Sequence, residues 1–260
     1  MTPGADLADV VHLEVADQVG TITLDSPGNR NALSRRLVGE LTQRLRAADT
    51  STDARVVVLT HTGNTFCSGA DLTEAAETGM VEGTRALLAL LRLIAELSTP
   101  VVAVVRGHVR AGGVGLVGAC DLAVASDTST FAFSEALLGL TPAIISLTTL
   151  GRLADRDAAR KYLTGATFDG VEAARSGLVT QSVPADAVDS TTASLLSELK
   201  QASPQGLRET KRLLNAPMLQ RVEAEGDALV ALSARLFGSD DAREGMAAFR
   251  ERRRPRWSPG

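Results

Sequence analysis

Alternating apolar residues open the chain. Val11, Leu13 and Val15, then Val19, Ile22 and Leu24 with Gly20 in the return, predict an antiparallel hairpin over residues 10–24. The cluster Asp25-Ser26-Pro27-Gly28-Asn29 then ends that alternation in a turn. Leu37, Leu41 and Leu45 recur at helical spacing, which predicts an amphipathic helix from its N-cap Ser34 to about Ala48. Residues 55–60 and 101–105 are β-branched runs of strand length, and 121–126, 130–133 and 178–183 are further strand candidates. Helical periodicity covers residues 71–97, with a break around 79–83, and returns at 146–153 and 156–164. Asp169 with Glu172 three residues later marks the start of another helix. After Pro184 no strand candidate remains, and 187–201, 204–215, 219–237 and 240–254 all read as helices. Ser203-Pro204 is a helix start, since proline at the first helical position gives up no hydrogen bond. Mixed elements followed by helices alone imply a β/α core with a helical C-terminal module.

Composition narrows the function classes. The 260 residues are 44% hydrophobic and 22% charged, which describes a globular chain and excludes disordered, collagen-like and coiled-coil classes. A net charge of −4 lacks the basic field that sequence-independent nucleic-acid binding requires. No apolar run approaches the roughly 20 residues needed to cross a bilayer. Cys67 and Cys120 make neither a disulfide framework nor a zinc site, and the first 20 residues carry four acids and no basic residue, unlike a signal peptide. A cytoplasmic protein with no membrane or nucleic-acid partner is the expectation. Side chains suited to conventional catalysis are scarce: His12, His61 and His108, the two cysteines, Tyr162, and Lys161, Lys200 and Lys211.

Two segments share one design, a buried strand, a run of small residues and a helix. One runs from residues 56–60 to Phe66-Cys67-Ser68-Gly69-Ala70-Asp71-Leu72, the other from 101–105 to Ala111-Gly112-Gly113-Val114-Gly115. Small residues at a helix start let unpartnered N–H groups approach a ligand, and two such starts converging on one oxygen would form an oxyanion hole. The same glycines equally suit tight packing of helix on strand. Neither segment is a phosphate loop, because no Gly-Lys-Ser/Thr follows, and residues 110–115 lack the spacing of a dinucleotide fingerprint.

In order and spacing, Asn31-Ala32-Leu33, residues 66–72, Pro100 through Gly112-Gly113 to Ala119-Cys120-Asp121, Phe133-Ser134-Glu135 and Leu138-Gly139-Leu140-Thr141-Pro142 resemble the crotonase superfamily of enoyl-CoA hydratases and isomerases. Leu163-Thr164-Gly165, residues 173–179 and residues 244–249 extend the resemblance, which spans about residues 11–257. It implies an α/β fold of the ClpP/crotonase-like kind, a spiral of β-β-α units over residues 1–194, followed by a helical trimerisation module at 195–260. It also implies an acyl-CoA thioester substrate, a homotrimer or hexamer, and no cofactor beyond the CoA of the substrate. The thioester oxygen would be held by the backbone N–H groups of Ala70 and Gly112.

The acid–base inventory departs from the pattern of many family hydratases, which use two glutamates. The first position here is Gly115, and only the second, Glu135, is retained. With one carboxylate, the resemblance implies either a hydratase in which Glu135 activates water, closest in pattern to methylglutaconyl-CoA hydratase-like members, or a Δ3,Δ2-enoyl-CoA isomerase in which Glu135 shuttles a proton. A non-catalytic acyl-CoA-binding or assembly protein is the alternative from another class. On the CoA side, the resemblance places Asn31, Ala32, Leu33, Ser68, Asp71 and Leu72 along the groove, and Phe249 and Arg252 near the nucleotide of a neighbouring subunit. The arginines at 250, 252, 253, 254 and 256 equally suit a solvated helix end or phosphate recognition. His108 and Cys67 lie beside the glycine segments, and Glu74 and Glu77 are candidates to replace the missing acid.

Overall fold

The structure, a computed structural model, describes residues 8–71, 73–74 and 80–259. Its elements come in repeated β-β-α units. Strands β3 (Val56–His61), β5 (Val101–Val105) and β7 (Leu122–Ser126) each lead directly to a partner, β4 (Thr65–Cys67), β6 (His108–Arg110) and β8 (Thr130–Ala132). The first strand of every pair enters a six-stranded sheet of order β1-β2-β3-β5-β7-β10, and the second enters a four-stranded sheet of order β4-β6-β8-β9. Successive units therefore climb both sheets together, giving the α/β spiral that the sequence resemblance implies.

Apart from the hairpin of β1 (Val11–Ala16) and β2 (Val19–Leu24), the large sheet is parallel. This explains the unbroken apolar runs of β3 and β5, since a parallel strand is buried on both faces. Val57, Leu59, Val101, Ala103 and Val105 face the main core with Leu37, Leu41 and Leu45 of α1 (Arg35–Thr50) and Leu90, Leu91 and Ile94 of α2 (Val81–Glu96). Val56, Val58, Val102, Val104 and Val124 face the other way, under Leu195, Leu196 and Leu199 of α7 (Val188–Gln201).

Between these lie α3 (Gly112–Ala119), α4 (Ala143–Thr149), α5 (Asp155–Thr164), β9 (Phe168–Asp169), α6 (Gly170–Arg175) and β10 (Gln181–Val183). The caps follow the sequence: Ser34, Asp169 and Ser203 each accept a backbone N–H from the first turn of their helix. The hairpin turn does not. It is made by Asp17 and Gln18 at φ 50° and 66°, and Gly20 sits inside β2, where a Cβ would come 3.3 Å from that of Ala48. The helix expected at 146–153 starts earlier, at Ala143, and the last strand is shorter than 178–183.

The largest difference lies in the C-terminal module. The two helices expected at 204–215 and 219–237 are one, α8 (Pro204–Phe237), which runs through Pro217. Proline removes one hydrogen bond, but it would have gone to the carbonyl of Leu213, a residue 77% exposed whose carbonyl water can serve. Buried polar contacts anchor α8 to the core just before the proline. Lys211 Nζ donates to the carbonyls of Ile94 (2.9 Å) and Thr99 (3.0 Å) and pairs with Asp121 (2.8 Å), while Asn215 donates to Ala95 O (3.2 Å) and to Asp121 (2.9 Å). The last helix is α9 (Asp240–Arg250). Among the described residues no helix is long and apolar enough to cross a membrane.

Candidate active site

Three parallel neighbours in the small sheet end at three of the predicted site segments. β4 pairs with β6 through Cys67 and Val109, and β6 pairs with β8 through Arg110 and Ala132. From their C-terminal ends leave Gly69-Ala70, Ala111-Gly112 and Ser134-Glu135, so residues far apart in sequence meet along one sheet edge. Ligands of parallel sheets characteristically bind at that end.

The two small-residue turns touch. Gly69, at φ 92°, has no room for a side chain: a Cβ would lie 2.9 Å from Ala111 Cβ and 3.4 Å from Gly112 N. A Cβ on Gly112 would meet Leu33 Cδ1 at 2.6 Å and Leu87 Cδ2 at 3.5 Å, and one on Gly113 would strike Cys67 Cβ and O, both at 2.7 Å. Tight packing and ligand approach, the two readings of these glycines, are thus compatible. Gly112 is the first residue of α3, whose preceding Ala111 is at φ 47°, and its N–H belongs to the turn that has no intrahelical acceptor. Leu33 N–H donates to Gly69 O (2.8 Å) in an isolated parallel bridge between Leu33 and Ala70, an arrangement that leaves the Ala70 N–H out of the bridge.

Glu135 lies in a short 3-10 turn, Ser134–Leu138. Its Oε2 is buried with no hydrogen-bond partner among the described residues, and burial raises the carboxyl from its ordinary 4.5 to about 7. Such a group can both take and return a proton near neutrality. The last helix braces this turn: a Cβ on Gly245 would lie 2.5 Å from Leu138 O, and one on Gly139 2.6 Å from the carbonyl carbon of Asp241.

Gly115, the position of the missing glutamate, is occupied from across the helix pair. A Cβ there would lie 2.5 Å from Ile145 Cγ2, 2.9 Å from Ile145 Cβ and 3.4 Å from Leu91 Cδ1. Ile145 is β-branched and fully packed, so the space a second carboxylate would use is hydrocarbon. Pattern reading pointed to Gly115 but not to Ile145, because the contact is 30 residues away and nothing local marks it.

The remaining candidates divide. Asn31, buried and at φ 52°, spends its amide on the backbone: it accepts from Ser26 N (2.7 Å) and donates to Thr65 O (2.8 Å) and Thr62 O (3.2 Å). It therefore shapes the turn while Ala32, buried, and Leu33 carry it to the site. Ser68 Oγ reaches only Asn29 O (3.4 Å), and Asp71 caps the next turn by accepting from Thr73 N (3.0 Å) and Glu74 N (3.3 Å). Glu74 accepts from Arg35 N (2.9 Å) at the start of α1; Leu72 and Glu77 lie outside the described residues. The Cys67 thiol is buried and pushed up to about 12, which removes its nucleophilic form. His108 is exposed and bonded to Thr130 Oγ1 (2.8 Å). Among the described residues no group of three or more His, Cys, Asp or Glu is placed to hold a metal ion.

At the C-terminus, Phe249 is 58% exposed. The arginine run is split by its partners: Arg253 binds both oxygens of Glu244 (2.6 and 2.9 Å), Arg256 pairs with Asp241 and Arg254 reaches Pro259 O. Arg253, with the Arg256 backbone N–H donating to the same carboxylate (2.9 Å), holds Glu244 at about 2, well below the usual carboxylate range. Arg252, exposed and at φ 54°, extends from the end of α9.

A family model described as Enoyl-CoA hydratase/isomerase matches residues 14–259. An enoyl-CoA hydratase from Mycobacterium avium has the same fold at TM-score 0.90 and 48% identity, over 96% of this chain and 99% of that one. An enoyl-CoA hydratase/isomerase from Pseudoalteromonas atlantica T6c follows at TM-score 0.86 and 27% identity, over 96% of this chain and 100% of that one. A mevalonyl-coenzyme A hydratase of Aspergillus fumigatus is 32% identical over 244 residues, 92% of this chain and 90% of that protein.

Proposed function

The chain belongs to the enoyl-CoA hydratase/isomerase family, and from that premise we propose that it adds water to a 2-enoyl-CoA thioester with Glu135 as its one acid–base group. The supporting observation is the meeting of Ala70, Gly112 and Glu135 at the ends of three adjacent strands. In this reading the thioester oxygen lies between the N–H groups of Ala70 and Gly112. The Glu135 carboxylate takes a proton from water as the water oxygen bonds to the β-carbon, and the electron pair of the double bond moves to the thioester oxygen as an enolate. The two N–H groups hold that charge. Glu135, now neutral, returns the proton to the α-carbon, and the site is restored.

The hydrocarbon at Gly115 favours a second reading, Δ3,Δ2-enoyl-CoA isomerisation, which needs only one carboxylate to carry a proton between two carbons. Supplying purified protein with 2-enoyl-CoA and, separately, 3-enoyl-CoA distinguishes them by loss or appearance of the conjugated thioester absorbance. Turnover of the 3-enoyl substrate alone overturns hydration; turnover of neither, with acyl-CoA still bound, leaves a binding protein. Glu135→Gln should abolish turnover while acyl-CoA binding persists. We also propose that the protein assembles as a trimer or hexamer, that Arg252 and Phe249 approach a neighbouring subunit's nucleotide, and that it works in the cytoplasm. Exposed Leu213 and Leu214 on α8 support the first, and two free, buried cysteines suit a reducing compartment.

A further inference from the structure

One polar side chain beside Glu135 has no part in the reaction just described. Tyr162, the single tyrosine of the chain, projects from α5, which packs on the Glu135 turn. Its ring centroid lies 4.5 Å from that of Phe133, two residues before Glu135. Burial, followed by the charge of Glu135, raises the phenol above its ordinary range.

Hydrogen accounting orients the Tyr162 hydroxyl. Thr149 Oγ1 lies 2.6 Å from the Ile145 carbonyl and 2.5 Å from Tyr162 Oη. A carbonyl can only accept, so the one hydroxyl hydrogen of Thr149 goes to Ile145, and the hydrogen between the two hydroxyls comes from Tyr162. Tyr162 then has nothing left to donate, and its oxygen offers only lone pairs to its other neighbours. Glu135 is complementary: its buried, unpartnered Oε2 can donate only when the carboxyl is protonated.

We propose that Tyr162 is a positioning residue for the proton of Glu135, its oxygen accepting from the neutral carboxylic acid through one bridging water. Through this contact the Ile145–Thr149–Tyr162 chain favours the protonated state during the interval between removal of a proton and its return. The proposal rests on Glu135 being the acid–base group. Other charges on the elements packed against the turn are engaged elsewhere or exposed. Lys161 pairs with Glu172 and Asp157, Asp157 also with Arg175, Asp240 with Arg243, Asp241 with Arg256 and Glu244 with Arg253. Asp155, Arg156, Arg160 and Arg250 are exposed. Arg221 of α8, the other charge felt at Tyr162, donates to Ser146 O (3.2 Å) and lies 3.9 Å from Glu225.

The test follows the proton itself and does not need turnover. The infrared carboxylic C=O band present in the wild type and missing from Glu135→Gln is titrated against pH. In Tyr162→Phe its midpoint should fall by about one pH unit, a tenfold loss of proton affinity, as expected for one lost hydrogen bond. In Thr149→Val it should fall further, because the freed Tyr162 hydrogen then turns to the bridging water, which donates onward to the carboxylate, whereas Thr149→Ser should keep the wild-type midpoint. An unmoved midpoint in Tyr162→Phe, or a rise in Thr149→Val, overturns the proposal. Failure of the hydratase reading would register separately, as absence of turnover with the band shifts intact.

Discussion

Replacing Glu135 by Gln should strengthen the fold in a way that depends on pH. The carboxyl titrates at 4.5 when free and at about 7 in the folded chain because burial removes its hydration. Between those values the unfolded chain has lost a proton that the native state retains, so native binds more protons than unfolded and stability falls as pH rises. At about 1.4 kcal/mol per pH unit the full effect is ~3 kcal/mol, absent below pH 4.5 and complete above pH 7. Gln carries no charge at any pH. Its own packing and hydrogen-bonding change adds an offset that is constant with pH, so the diagnostic quantity is the slope of the difference. Urea unfolding of wild type and Glu135→Gln at matched protein concentration, from pH 5 to 9, should show the variant gaining relative stability steadily and levelling off above pH 8. A difference that stays flat across this range would refute the claim that Glu135 is held in a desolvating site. The wild type would then lose no stability to this carboxyl.

Other substitutions probe the site's neighbours. Gly115→Glu alone should destabilise the protein and confer no second acid, since its Cβ would overlap Ile145; pairing it with Ile145→Ala, which removes the Cγ2 at 2.5 Å but keeps the Cβ at 2.9 Å, should recover only part of that loss, as thermal unfolding of the single and double variants will show. Lys211→Met leaves the half-buried Asp121 without its cation, though still accepting from the Val101 N–H and Asn215, and urea unfolding should report a loss of about 3 kcal/mol, the low end for breaking a buried pair. Arg252→Ala should weaken CoA binding more at low than at high salt in a titration, whereas Arg253→Ala, which leaves Glu244 only the Arg256 N–H among the described residues, should loosen the end of α9 and show as faster amide exchange there.

Legibility in the sequence followed locality. The hairpin, the strands 55–60 and 101–105 and the caps at Ser34 and Asp169 were readable because each is specified by neighbours within a few residues. β4, β6 and β9 were not, since two- and three-residue strands carry no period to detect. Pro217 misled for a related reason: its local cost is real, but Lys211 and Asn215 tie that stretch to residues 94–99 and 121, a contact that no window contains. The order of motifs singled out Ala70, Gly112 and Glu135 as candidates, which the fold gathers at the ends of three neighbouring strands, and it marked Gly115 as the place where the family resemblance expects a carboxylate. What occupies that space, and how Asn31 turns its amide inward, depends on tertiary packing alone.

The small sheet has a further consequence for how the protein loses activity. The strands that align the candidate site are three residues long in β4, β6 and β8, while their partners β3, β5 and β7 in the large sheet run five or six. Few ladder bonds therefore stand between an intact constellation and one whose pieces have drifted apart, and regions with few such bonds open before the rest of a domain. Warming or mild denaturant should silence the protein while its central sheet is still folded, so residual turnover measures the integrity of this one edge rather than the folded fraction.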